Sequence, residues 1–120
     1  MTEPEVSIYI AKYYIENENT AEDVVVSIDG AHVKTGDTIH FPLSAFLADC
    51  GFQKCDGEHA KWQGIYELPG YYSKMIITSQ SGIGDVSIRL PNGMRLHVES
   101  KKGKNNQSGQ EYVLMREAIG

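Results

Sequence analysis

Asp85 and Glu99, with Lys101 two residues further on, are the residues of this chain whose types and spacing could do chemistry. The run from Asp85 to Leu90 alternates polar with apolar residues, and the run from Met94 to Glu99 alternates in the opposite phase. Both read as half-buried strands by their period of two. Between them, Pro91, Asn92 and Gly93 suit a type I turn closed by a left-handed glycine, the three-residue hairpin loop. That loop sets the register: Val86 faces Val98, Ile88 faces Leu96 and Leu90 faces Met94, an apolar face without exception. On the other face Arg89 meets Arg95, Ser87 meets His97, and Asp85 meets Glu99. A slip of one residue would mix the faces. Carboxylates directly opposite on one sheet face would have Cβ atoms about 4.5–5.5 Å apart and would repel. A divalent cation between them gives that arrangement a purpose, because hard cations such as Mg²⁺ or Mn²⁺ take carboxylate oxygens. Lys101 projects from the same face as Glu99, so two metal ligands and one ammonium converge.

An acid, a gap of thirteen residues, then Glu99-Ser100-Lys101 resembles the PD-(D/E)xK nuclease superfamily, whose restriction-endonuclease-like fold also serves Holliday-junction resolvases. The surroundings are most similar to its VRR-NUC branch. The turn Ser81-Gly82-Ile83-Gly84 leads into the first acid, a Gly-containing hairpin joins the two acids, and a polar connection leads to a segment opening with Gln110. The resemblance covers residues 71–119; residues 1–70 carry no family signal. Gly84 stands where the family name has Pro, and the family usually adds a strand after its last helix, which the residues up to Gly120 do not supply. The family often has a further Glu on its first helix; Glu5, Glu16 and Glu18 are available, and no local motif chooses among them.

The resemblance implies an α+β restriction-endonuclease-like core, with a mixed sheet flanked by helices and its last strand lacking, acting as a Mg²⁺- or Mn²⁺-dependent DNA endonuclease. Asp85 and Glu99 would hold the metal, the backbone carbonyl of Ser100 would be a third ligand, and Lys101 would hold the attacking water or a phosphate oxygen. Gln110 would support Lys101 or a phosphate. Ser81, Gly82, Arg95, Lys102 and Lys104 would contact the DNA backbone. Cleavage of branched DNA follows only by analogy with the family.

Local charge fits a polyanion better than the chain average does. Net charge is −5 overall, yet Arg89, Arg95, Lys101, Lys102 and Lys104 against Glu99 alone put residues 89–104 at +4 and the remainder at −9. Contacts of this sort position a duplex without reading its sequence. Two other readings share these residues. One is a nuclease-fold module with an unused active site that docks DNA or a protein; the other is a metal-dependent hydrolase of a non-nucleic-acid phosphate.

The elements that must position the site are read as follows. Pro4 suits a first helical turn, and Val6, Ile10, Tyr13 and Tyr14 can share one face, so residues 5–17 form a helix. Its remaining apolar residues, Ile8, Tyr9 and Ile15, imply cover on more than one side and make a homodimer contact over residues 6–15 an expectation. Val24 to Ile28, Asp29-Gly30 and Ala31 to Val33 read as a short hairpin. A second helix runs from about Leu43 to Cys50 and stops at Gly51. Residues 55–70 are irregular and polar, and residues 71–79 form a strand around Met75, Ile76 and Ile77. Residues 102–107 form an exposed connection. Ser108 to Glu111 matches a capping box, so a helix is expected from about residue 109 to the end.

The chain's 120 residues, 41% apolar and 22% charged, suit one domain with a single core. No apolar run approaches a membrane span, and Met1 to Glu5 lacks the pattern of a signal peptide, so a cytoplasmic protein with reduced thiols and no membrane partner is expected. Cys50, Cys55 and His59, with His40 as a fourth ligand, could bind zinc, but the spacing matches no usual finger and Cys50 suits a helix core. The seven tyrosines suit core and interface better than a base-stacking platform.

Overall fold

The N-terminal helix forms because Thr2 and Glu5 cap each other: the Thr2 hydroxyl accepts from the Glu5 amide, and the Glu5 carboxylate accepts from the Thr2 amide. Pro4 lies in the first turn, where a missing amide costs nothing. This is α1, Glu3–Glu16. The computed structural model describes residues 2–58, 60–79, 85–102 and 111–119, with side chains as far as Glu99.

Strands β1 (Val24–Ser27), β4 (Gln53–Asp56), β5 (Gly64–Glu67), β6 (Lys74–Thr78), β7 (Val86–Arg89), β8 (Met94–Lys102) and β9 (Glu111–Ile119) form one seven-stranded sheet in the order β4-β5-β6-β1-β7-β8-β9. β1 runs parallel to β6 and antiparallel to β7, so the sheet is mixed. β2 (Lys34–Thr35) and β3 (Thr38–Ile39) form a separate small hairpin. α2 (Leu43–Asp49) follows it, with Cys50 as its C-cap. The chain is thus an α+β fold with a mixed sheet and two helices among the described residues. No helix among the described residues is long and apolar enough to cross a membrane.

α1 packs across β1, β7 and β8, and α2 packs against α1. Ile8, Ala11 and Ile15 of α1 share a core with Val24, Val26, Met75, Ile77, Val86, Ile88, Leu96 and Val98. The alternation of the strands therefore turns one face to the helices and leaves Ser87, Arg89, Arg95, His97 and Glu99 on the opposite face. The hairpin register is the one read from the sequence, with Val86 paired to Val98, Ser87 to His97, Ile88 to Leu96 and Arg89 to Arg95.

Three expectations are corrected. Residues 24–33 are not a hairpin: after β1 the chain turns through a 3-10 segment, Gly30–His32, whose first turn is capped by the Asp29 side chain accepting from the Ala31 amide. β1 is a central strand paired on both sides, which is why it reads as an unbroken apolar run. Residues 55–70 contain β5 and the end of β4; these four-residue strands lie at and next to the sheet edge, so their apolar signal is weak. Residues 111–119 are a strand, not a helix. β9 pairs with β8 from Met94–Ile119 to Lys102–Glu111, so the long edge offered by β8 outweighs a local capping signal. The chain therefore does carry a strand after β8, joined as its antiparallel neighbour.

Candidate functional site

Asp85 stands one residue before β7 and is fixed through its backbone. Its amide donates to the Val98 carbonyl at 3.0 Å, and its carbonyl accepts from the Ser27 amide at 2.9 Å. The regular pairing of β7 with β8 ends at Val86–Val98. The Asp85 amide reaches the carbonyl of Val98 rather than extending the ladder to Glu99. The Asp85 side chain lines a crevice of about 40 Å³ with Glu3 and Ser7 of α1 and with Ser27, Asp29 and His32 after β1. Glu3 Oε2 is 3.4 Å from His32 Nδ1.

Glu99 is half-buried on β8 and is not part of that crevice. Lys101 follows two residues later and stands opposite Tyr112, Ser100 stands opposite Val113, and Lys102 stands opposite Glu111. Asp85 and Glu99 thus lie at the same end of the β7–β8 hairpin, but the Asp85 side chain lines the crevice under α1 while Glu99 lies on the sheet face away from the helices, and Lys101 follows on β8. Ser81, Gly82, Lys104 and Gln110 lie outside the described residues. The support expected for Gln110 was a helix, and residues 111–119 are a strand instead.

Glu3, Asp29 and His32 are the neighbours of Asp85 that sequence reasoning missed. Glu3 has the look of a first-turn acid placed for the helix dipole, and Asp29-Gly30 has the look of a turn. Only the packing of α1 over the end of β1 brings them to Asp85. Among the described residues, no three His, Cys, Asp or Glu side chains are arranged to hold a metal ion.

Arg95 is engaged within the fold. One guanidinium nitrogen donates to Ser87 Oγ at 2.9 Å, and another lies 3.9 Å from a Glu22 carboxylate oxygen. The other Glu22 oxygen is 3.2 Å from Arg89 Nε. Arg89 and Arg95 face each other across the strands, a like-charge pair that would repel, and Glu22 answers both. Glu22 is more than half exposed, so each pairing contributes well under about 1 kcal/mol.

The zinc alternative gains no support among the described residues. The Cys55 thiol donates to the Ile65 carbonyl at 3.4 Å within the β4–β5 pair, and His40 Nε2 is 2.8 Å from Thr35 Oγ1. Cys50 sits at the end of α2, where burial above all pushes its thiol pKa up, with nearby Lys12 opposing and Asp49 and Glu5 adding. His59 lies outside the described residues.

No protein-family model, no curated protein and no solved structure matches this chain.

Proposed function

We propose that the chain is a metal-dependent nuclease that hydrolyses phosphodiester bonds in DNA, with a restriction-endonuclease-like core built from α1, β1, β7 and β8. The observation that carries this reading is the β7–β8 register, which sets Asp85 and Glu99 at one end of a single hairpin with Lys101 two residues further along β8. Two carboxylates are the hard oxygen donors that Mg²⁺ or Mn²⁺ takes, with the Ser100 carbonyl as a third donor from the backbone between Glu99 and Lys101. When bound, the metal supplies Lewis-acid stabilisation of the phosphate and a more acidic water.

The chain's own residues do the rest. Two backbone hydrogen bonds hold the main chain of Asp85, which fixes the point from which its carboxylate would reach a metal. Lys101 orients the attacking water and offsets charge gained on the phosphate oxygens. Lys102 and Lys104 contact the flanking backbone, and Arg95 joins them on exchanging Glu22 for a phosphate. A second copy docks on the Tyr9 and Tyr13 side of α1, where these rings are 43% and 60% exposed.

The second reading, an inactive nuclease-fold module that binds DNA or a protein, is favoured by one observation: Arg95 already has protein partners. Incubation of supercoiled plasmid and branched duplexes with the protein and Mg²⁺ at low salt distinguishes the two. The nuclease reading expects nicking that chelation stops and that Lys101→Ala slows by about a hundredfold. Binding without cleavage in either Mg²⁺ or Mn²⁺ would leave the inactive module.

A further inference from the structure

A second cavity lies away from the β7–β8 hairpin, between the small β2–β3 hairpin and the start of α2, and it has a volume of about 270 Å³. Its floor is Val33, Phe41 and Leu43, all buried in the core. Its walls are Ile39 on β3 and Trp62 from the loop before β5. Ile39 is 65% exposed, so its apolar side chain is open to a ligand at this wall. Trp62 is half-buried, and its main-chain carbonyl accepts from the Tyr66 hydroxyl at 2.8 Å, which anchors the backbone of this wall.

Lys34 is the single charged residue lining the cavity. It makes no ion pair among the described residues. An apolar, largely preformed pocket with one polar group placed to orient a ligand is the general form of a small-molecule site. Charge complementarity selects an anion, and the apolar lining selects an anion with an apolar body. We propose that this cavity binds a small carboxylate with an aromatic or aliphatic body, the body against Trp62 and Ile39 and the carboxylate on the Lys34 ammonium. This binding is independent of the nuclease reading, because no residue of the β7–β8 hairpin takes part.

Trp62 is the only tryptophan in the chain, so its fluorescence reports on this cavity alone. The full chain is titrated with 4-phenylbutyrate and decanoate and, as neutral controls, with 4-phenylbutanol and decanol. Saturable changes in Trp62 emission are expected with the acids, at concentrations about tenfold lower than with the alcohols, as one charge-assisted hydrogen bond implies. Lys34→Gln should bring the acids down to the level of the alcohols. Ala45→Phe, at an exposed position lining the cavity, should fill it and weaken both classes. No saturable change with any acid would overturn the proposal. So would equal affinity for acids and alcohols in the unsubstituted chain, or unchanged acid binding in Lys34→Gln or Ala45→Phe.

Discussion

Asp85→Asn is expected to lower metal-dependent cleavage of DNA by about a thousandfold while leaving the fold intact. The substitution keeps the shape of the side chain and removes the charge, so it deprives a hard cation of its anionic ligand without opening a cavity. The loss of a group that stabilises charge at the reacting centre is worth about 3–4 kcal/mol. Two hydrogen bonds of Asp85 run through its backbone and survive the change. Its side chain shares the crevice with Glu3, Asp29 and His32. The melting temperature of Asp85→Asn in chelator should stay close to that of the unsubstituted chain. Initial rates on plasmid DNA, read beside that melting temperature, check both halves. A rate within threefold of the original would remove Asp85 from the site.

The largest expected loss of stability is at Gly64, where the β4–β5 loop returns to the sheet. Gly64 has φ +150°, and a Cβ added there would lie 2.6 Å from the Asp56 carbonyl oxygen and 2.6 Å from Lys54 Cε. The carbonyl belongs to the paired strand and has little room to yield. Lys54 is held as well: its ammonium donates to the carbonyls of Glu58 and Lys61 and lies 5.6 Å from the Tyr66 ring centroid. Gly64→Ala therefore combines backbone strain with a steric clash, and about 3 kcal/mol of unfolding free energy should be lost. Gly93 is the control. It has φ +90° with nothing within 4 Å of an added Cβ, so Gly93→Ala should cost only the left-handed strain of about 1–2 kcal/mol. Urea unfolding of both variants measures the contrast; equal losses would contradict the packing drawn around Lys54.

What the sequence disclosed follows from which signals are local. The β7–β8 register was legible because Pro91, Asn92 and Gly93 fix the loop and the alternation is unbroken on both sides. α1 and α2 were legible because capping residues and Gly51 mark their ends. β1 is legible as a strand but its partner is not, since nothing local shows that its neighbour is β6, some fifty residues away. The segment 111–119 reads as a helix because a capping signature at Ser108 to Glu111 is a local preference, whereas pairing with the edge of β8 is not visible in a local window. The site divides in the same way. Asp85 and Glu99 were found through the hairpin, whereas Glu3, Asp29, His32 and Glu22 come from other segments and meet these strands only through tertiary packing.

The central claim is that Asp85 and Glu99 hold a divalent cation. Thermal unfolding of the chain with and without Mn²⁺, repeated for Asp85→Asn, tests it most directly. A ligand that binds only the folded state stabilises it by about 2.7 kcal/mol at a hundredfold excess over its dissociation constant. A clear rise in melting temperature with Mn²⁺ that disappears in Asp85→Asn is the expected result. An unchanged melting temperature at millimolar Mn²⁺, or an equal rise in the two proteins, would contradict the account and leave the hairpin as the framework of a binding module.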